Sequence, residues 1–376
     1  MQNIGTPRIY VDWGSWLKAI GKFEFLDTGN LWANYGGGED VFNPIFGLNP
    51  SKQTTFNVGN LEGIQGGDTR CFVRVSSGCF YDNPDAYPNY MAVLGHNYAS
   101  ATCRVYPETY ASGYGSGTMP KTEIINYGSS VGSQFPPYDG FTIIGIPDPD
   151  TSNYRWKGIA INMVQDYNTQ WADENFFPYT DDVNIGSFCY GRFYDFPHSP
   201  ELKITQSIEM GELTRQQSVI GGSLSNSMQT PDMWGDLGAW ELDSPSEQDD
   251  ASKLGIRRGK RIWNLSFSYL SDKDTLPINA LGNTIFDIAN ASSYDSTDYT
   301  DGAESAYFNS NVLDGEDFFS AVWNRTLGGH LPFIFQPDKD NNNPDQFAIC
   351  KFDQDSLEVK QVANTVYNVK LKIREI

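Results

Sequence analysis

Residue types that carry out chemistry are scattered along this chain rather than clustered. The three histidines lie far apart, and the five cysteines are odd in number and form no CxxC pair. Zinc sites need closely spaced Cys and His ligands, and neither the HExxH nor the GxxxxGK[ST] motif occurs here. We therefore expect no catalytic residue, no cofactor and no metal centre, and a protein that is not an enzyme. The cysteines, predicted to be free thiols in apolar positions, are Cys71, Cys79, Cys103, Cys189 and Cys350.

Two acidic loops begin like calcium-binding loops. They are Asp148 to Ser152 and Asp338 to Asn342, but Ile159 and Ile349 stand where an EF-hand needs glutamate. The pattern excludes an EF-hand and leaves open either a looser calcium site or solvated turns. Acidic residues are too numerous for a pair at glycosidase spacing to carry weight.

Aromatic side chains in predicted loops are candidates for contact with a sugar or a partner protein. Aromatic rings can stack on sugar rings or anchor a protein interface. The alternative is core or turn packing in a β protein. The four candidates are Trp32, Tyr35, Tyr87 and Tyr90.

Two further motifs favour structural roles. His96 follows an apolar run in the sequence LGHNY, so we expect a hydrogen-bonded residue at a strand end rather than a base or ligand. The triplet Gly36 to Gly38 lacks the Lys-Ser or Lys-Thr of a phosphate-binding loop and predicts a turn.

The last stretch of the chain, Thr365 to Ile376, has the clearest pattern. Apolar and polar residues alternate strictly there, which predicts a half-buried antiparallel strand. Its predicted partner is the alternating run from Trp263 to Tyr269. The apolar face consists of Tyr367, Val369, Leu371 and Ile373. The polar face consists of Lys370, Lys372 and Arg374, which are either solvated or in contact with an acidic neighbouring subunit.

Composition predicts a mainly β protein with an acidic surface. The chain has 376 residues with 36 Gly, 20 Pro and 14% aromatic residues, which is typical of many short strands joined by turns. A net charge of −21 argues against nucleic-acid binding through a basic surface. No window approaches the roughly 18 consecutive apolar residues of a membrane span, and the first residues do not have the pattern of a secretory signal.

Breaks in the pattern divide the chain into two predicted domains. Residues 1–198 carry short runs bounded by Gly, Pro and Asn, which are typical of a jelly-roll-like β-sandwich. The segment Phe196 to Pro200 has two prolines and marks the predicted boundary. The predicted strands at the start of this half lie at Ile9 to Trp13 and at Phe23 to Phe25.

Residues 199–376 predict a split barrel or β-sandwich that carries one helix. The helix is predicted at residues 315–327, with Asp314 as N-cap and Gly328 and Gly329 at its end. Its apolar face is predicted to be Phe319, Val322, Trp323 and Leu327.

Two passages resemble proteins of tailed bacteriophages. Asn89 to Val105 resembles a segment of galactose-binding-like jelly rolls fused into phage structural proteins. The C-terminal half is similar to tail-tube-like and distal-tail proteins in the order of its strand GKRIWNLSFSYL, helix DGEDFFSAVWNRTLGG, strand HLPFIFQPD and last strand. In distal-tail proteins, however, the ring-forming domain precedes the carbohydrate-binding-like domain, and the order here is reversed.

The resemblance implies a non-enzymatic virion structural protein that forms a homo-oligomeric ring near the tail tip, as a distal-tail or hub component. It would assemble in the host cytoplasm with other tail proteins, without membrane insertion or sequence-specific nucleic-acid binding. The alternative is a carbohydrate-binding host-attachment protein of the virion that contacts a host surface glycan. A glycoside hydrolase is a third class, which no positional motif supports.

Overall fold

The protein is mainly β, with antiparallel sheets. A computed structural model describes residues 4–21, 23–25, 45–50, 52–56, 70–76, 88–101, 104–109, 123–125, 129–130, 136, 139–145, 158–164, 166–167, 176–177, 181–209, 214–217, 223–226, 260–275, 317–343 and 346–376. This agrees with the fold class predicted from composition and alternation.

The strands and helices of the described residues are short, apart from two long C-terminal strands. The strands are β1 (Arg8–Tyr10), β2 (Glu24–Phe25), β3 (Thr54–Phe56), β4 (Arg70–Ser76), β5 (Tyr90–His96), β6 (Arg104–Thr109), β7 (Glu123–Ile124), β8 (Ser129–Ser130), β9 (Gly140–Gly145), β10 (Gly158–Val164), β11 (Asp166–Tyr167), β12 (Phe176–Phe177), β13 (Val183–Ile185), β14 (Ser187–Gly191), β15 (Phe193–Asp195), β16 (Thr205–Glu209), β17 (Thr214–Gln217), β18 (Ser223–Asn226), β19 (Lys260–Leu270), β20 (Phe333–Gln336), β21 (Ala348–Phe352), β22 (Val359–Ala363) and β23 (Val366–Glu375). The helices are α1 (Trp13–Ala19), α2 (Asp272–Thr275) and a π-helix (Phe319–Trp323).

The last strand lies inside the largest sheet, as its alternation predicts. The sheet has eight strands in the order β15-β1-β20-β21-β23-β19-β16, and β22 also pairs with β23. Trp263 pairs with Ile373, and Leu265 pairs with Leu371. These four side chains are at most 2% exposed. The predicted pairing of β19 with β23 is therefore confirmed.

A buried ion pair fixes the other end of these two strands. Arg261 donates from Nε and from a terminal guanidinium nitrogen to the two carboxylate oxygens of Glu375, both at 3.1 Å. The backbone N–H of Arg261 also donates to the Glu375 carboxylate, and a terminal guanidinium nitrogen of Arg261 donates to the carbonyl of Phe347. A one-residue slip of either strand would separate the two charges in the core, so the pair specifies the register.

The large sheet curls until β15, at one edge, approaches β19, the strand beside the other edge. Tyr194 on β15 donates to the carbonyl of Asp274, just beyond β19, at 3.3 Å. The next aromatic residue, Phe196, stacks on Phe267 of β19 with ring centroids 4.3 Å apart. In a flat sheet these strands would be separated by about five strand spacings of roughly 4.8 Å each. The sheet therefore has the curvature of a split barrel around the main hydrophobic core.

A short connecting segment bridges the opening of this barrel. The N–H of Phe196 donates to the carbonyl of Pro7 on one side, and the N–H of Glu201 donates to the carbonyl of Ser266 on the other. The predicted domain boundary lies in this segment, and strands from both sides of residue 198 share the large sheet. The division into domains 1–198 and 199–376 stays a prediction, and the large sheet does not support it.

A five-stranded sheet, β14-β5-β9-β7-β8, packs against the other face of β1, β20 and β21. Tyr10 of β1 meets Tyr90 of β5 edge to face, with ring centroids 5.1 Å apart. Phe141 of β9 contacts Phe347 beside β21 in the same way at 5.7 Å. These rings form a second, smaller core between the two sheets.

Two glycines between Asp181 and Arg192 lie where chain segments approach closely. A Cβ on Gly186 would lie 2.1 Å from the carbonyl oxygen of Pro50. A Cβ on Gly191, whose φ is +158°, would lie 2.2 Å from the carbonyl oxygen of Val11. Only glycine leaves room for the backbone at these positions.

The predicted opening strand is wrong from residue 12 onwards, because a helix begins there. Asp12 is the N-cap of α1 and accepts hydrogen bonds from the N–H groups of Gly14 and Ser15. Trp13, Trp16 and Leu17 then bury one helical face. The alternation of apolar and polar residues at 9–13 extends beyond the end of β1, by chance, into the first residue of a capped helix.

A helix is present within the predicted range 315–327, but it spans only Phe319–Trp323, and the buried face of this segment differs from the prediction. Phe318 and Val322 are buried, whereas Phe319 and Trp323 are partly buried and Leu327 is exposed. The N–H of Asn324 donates to the carbonyl of Phe319, five residues earlier. Such wide π-turns rotate the side chains away from the 3.6-residue period on which the prediction rested. Asp317 accepts the N–H of Ser320 at 2.9 Å. The predicted N-cap, Asp314, lies outside the described residues.

Candidate functional site

The predicted aromatic contact residues are not brought together in the described structure. Trp32, Tyr35 and Tyr87 lie outside the described residues. Tyr90 is 0% exposed beneath Tyr10. The prediction that Tyr90 contacts a sugar or partner is therefore wrong, because its position in β5 turns the ring into the core between two sheets.

His96 is a buried structural residue, as its position after an apolar strand predicts. Its Nδ1 accepts the N–H of Tyr98, so Nε2 carries the proton and donates to Oγ1 of Thr142 at 2.9 Å. The ring also stacks on Tyr98 at 4.4 Å. Burial lowers the pKa of His96 to about 3, so the imidazole is neutral at physiological pH.

The buried carboxylate of Asp12, near the N-terminus, also has a structural role. Asp12 is 2% exposed, and burial raises its pKa despite its bonds to Ser15 and Gly14. Burial likewise raises the pKa of the neighbouring Tyr90 and of the Cys189 thiol well above their usual values. All three groups are buried, and Asp12 caps a helix. The prediction of buried free thiols is confirmed for Cys189 and Cys350.

Hydrogen bonds within the turn stabilise the described acidic loop at Asp338. Asp338 accepts the N–H of Asp340 at 3.2 Å, and Asn342 accepts from the amide of Gln336 at 3.2 Å. Among the described residues no group of three or more His, Cys, Asp or Glu could hold a metal ion. The loop from Asp148 to Ser152 lies outside the described residues.

The sequence from Gly128 to Gly132 reads GSSVG and matches the spacing of a hydrolase nucleophile elbow. An elbow serine stands in a sharp turn between a strand and a helix. Ser129 and Ser130 instead form the edge strand β8.

The residues that the structure describes also include no helix long and apolar enough to cross a membrane.

The outer face of β22, β23 and β19 carries the three cations that the sequence predicts as contacts with a neighbouring subunit. Lys372 pairs with Asp353 at 2.6 Å, and Arg374 pairs with Glu209 at 2.6 Å. Lys370 is exposed and makes no ion pair with a described residue. Two of the three predicted inter-subunit cations are thus already paired within the chain, and contact with a neighbouring subunit stays a prediction.

An exposed aromatic residue lies at the end of the same face, where the prediction placed it in the core. Phe267 pairs with Val369 but Leu270 pairs with Tyr367, so a β-bulge places Ser268 and Tyr269 opposite one residue. Tyr269 has a φ of +62° and is 84% exposed. A left-handed backbone costs a bulky L-residue about 1–2 kcal/mol. Strict alternation of apolar residues gave no signal of the bulge.

Strand β16 forms an unprotected edge of the large sheet among the described strands. It pairs only with β19, and four of its five residues are exposed. Ile208 on this strand is 55% exposed. Natural edge strands are usually guarded by charged side chains, Pro or a bulge. The sequence TQSIE contains neither Lys nor Pro, and its one charged residue, Glu209, is paired with Arg374.

Three features of the described surface are left without a role in the fold: the open edge of β16, the exposed ring of Tyr269 and the exposed ammonium group of Lys370, which makes no ion pair with a described residue. No family model, curated protein or solved structure matches the chain.

Proposed function

We propose that this chain is a non-enzymatic structural protein of a phage tail that forms a homo-oligomeric ring near the tail tip, as a distal-tail or hub component. The observation that carries the proposal is the edge strand β16 of a curled antiparallel sheet, which pairs only with β19 among the described strands. Such an edge offers unpaired N–H and C=O groups to another chain. The order of C-terminal strands and helix, which resembles tail-tube-like proteins, is the reason for choosing a virion.

A ring requires heterologous contacts, in which two different surfaces of each subunit meet. Edge strand β16 supplies one surface, and the exposed side chain of Ile208 would be covered there. The predicted contact through Lys370, Lys372 and Arg374 would be the polar margin of such an interface. Two of these cations would have to share their present partners, Asp353 and Glu209.

The net charge of −21 suits this role in one respect. DNA passing through a tail must not adhere to the wall, and a negative surface repels phosphate. The partners would be other copies of the chain and other tail proteins, and the place of assembly would be the host cytoplasm, with the final location in the virion.

Electron microscopy and mass photometry of the purified protein test the proposal. The expected result is closed rings of one size, and the variant Ile208→Lys is expected to give folded monomers. The control variant Val362→Lys changes a residue that is 48% exposed on β22 and should leave the rings intact. A wild-type protein that is strictly monomeric, alone and with tail partners, would refute the proposal.

A further inference from the structure

Neither packing nor backbone preference explains the tyrosine at position 269. Its ring is 84% exposed, so it contributes little to the core. Its φ of +62° is a conformation for which glycine is the usual choice at a bulge. Residues held in such conformations while exposed are concentrated at binding and active sites. The bulge turns this one aromatic ring outward from a strand whose other large apolar residues, including Trp263 and Phe267, are buried.

The side chains next to Tyr269 are polar and carry hydrogen-bond donors. The bulge lies opposite Asn368, which pairs in turn with Lys360 of β22. On the next rung Ser266 pairs with Lys370. These positions alternate with core residues such as Val369 and therefore belong to the outer face of the sheet.

Charge on this face is mixed and favours hydrogen bonding over a single strong charge. Lys360 and Lys370 are exposed, and neither makes an ion pair with a described residue. The exposed Glu358 directly precedes β22, which carries Lys360, and Glu201 accepts a hydrogen bond from Ser268 beside Tyr269. The face thus offers ammonium, amide, hydroxyl and carboxylate groups around one aromatic ring.

This composition fits a polyhydroxylated ligand better than a protein. The centre of a protein interface is usually apolar and poor in Lys, Ser and Glu. A sugar ring has an apolar face that packs on an aromatic ring, and hydroxyl groups that bond to amides, hydroxyls and ammonium groups. The outer face of a sheet is extended rather than concave, so it suits a chain of sugars more than a single one.

We propose that the outer face of β19, β23 and β22 around Tyr269 is a binding site for an extended glycan. The Tyr269 ring stacks on a sugar ring, and the exposed Lys360 and Lys370 bond to its hydroxyl or carboxylate groups. This site replaces the N-terminal aromatic residues expected from the sequence. The site lies away from the β16 edge, shares only Lys370 with the predicted subunit contact, and does not depend on ring formation.

Binding of the full chain to soluble dextran and to alginate, measured by affinity electrophoresis, tests the site. Dextran is neutral and alginate carries carboxylates, so the two arms show whether the lysines select an acidic glycan. The expected result is retardation by at least one polymer. The variant Tyr269→Asn should weaken it at least tenfold, and Tyr269→Phe should keep it. The control Ile20→Asn changes an apolar residue that is 41% exposed beyond α1 and should bind as wild type does.

Stability gives a second readout that separates binding from structure. Asn tolerates positive φ better than Tyr, so Tyr269→Asn should melt at the same temperature as the wild type or higher while losing the glycan. Retardation by neither polymer, or equal retardation of wild type and Tyr269→Asn, would overturn the proposal. A variant that loses binding together with its fold would also overturn it. Loss of self-association in Tyr269→Asn without any glycan binding would assign the surface to protein contact instead.

Discussion

Removing one member of the buried Arg261–Glu375 pair should be far more costly than removing one member of an exposed pair on the same sheet. The side chains of Arg261 and Glu375 are 2% and 7% exposed, and two 3.1 Å bonds join them. The variant Glu375→Gln keeps the shape of the side chain but leaves the guanidinium without a counter-charge in the core. Breaking a buried pair in this way costs about 3–5 kcal/mol.

The matched control is Glu209→Gln on the neighbouring strand. Glu209 pairs with Arg374 at 2.6 Å, a shorter distance than in the buried pair, but these side chains are 46% and 40% exposed. Water and salt screen an exposed pair, and its loss costs at most about 1 kcal/mol. The two variants remove the same charge and differ mainly in burial.

Urea denaturation followed by tryptophan fluorescence measures both variants, because Trp263 is next to Arg261 in the core. The midpoint should fall strongly for Glu375→Gln and little for Glu209→Gln. The double variant Arg261→Leu with Glu375→Leu should be less destabilised than Glu375→Gln, because it leaves no buried charge. Equal midpoints for the two single variants would refute the reasoning that burial decides the cost.

Three further changes test other parts of the fold. Gly186→Ala should destabilise by more than about 3 kcal/mol because its Cβ would clash with the carbonyl of Pro50, whereas Gly21→Ala, at φ +69° with open space around it, should cost only about 1 kcal/mol; equal thermal shifts would contradict the clash. The folded-state pKa of His96 is lowered to about 3, so the unfolded chain alone takes up this proton as the pH falls from about 6.5. Wild-type stability should therefore decline between pH 6.5 and 3, and His96→Asn should flatten that decline in urea titrations. Thr365→Gly should stabilise by about 1 kcal/mol, since Thr365 has a φ of +58° in the turn between β22 and β23; a lower midpoint would contradict this.

The C-terminal strands could be predicted because their alternation is local and complete. The short runs Leu331 to Phe335, Phe347 to Phe352 and Leu357 to Val362 are also rich in apolar residues, and they correspond to β20, β21 and β22. The helix at Asp12 could also have been found from its N-cap and the i, i+3, i+4 spacing of Trp13, Trp16 and Leu17.

The surface could not be predicted in the same way. Tyr269 continues the apolar alternation of its strand. The residue pattern is the same whether the strand is regular or has a bulge here, so the sequence does not reveal the shift in register. Likewise Lys372 and Arg374 looked unpaired, because their partners Asp353 and Glu209 are distant in sequence. The residues before Tyr90 have the composition of a loop, and those after it have the composition of a strand. Only the pairing of β5 with β14 and β9 determines that Tyr90 is buried.

The sequence by itself determined that this is a β protein with a half-buried last strand paired to Lys260–Leu270, because side chains on a strand alternate with period two and burial selects apolar residues for one face. The tertiary structure alone decided which surfaces are available for function. Curvature of the sheet brings Phe196 onto Phe267 and carries strands across the predicted domain boundary. Pairing within the chain neutralises two cations, and one bulge turns Tyr269 into solvent. Exposure depends on contacts between residues distant in sequence, and those contacts exist only when the sheet is assembled.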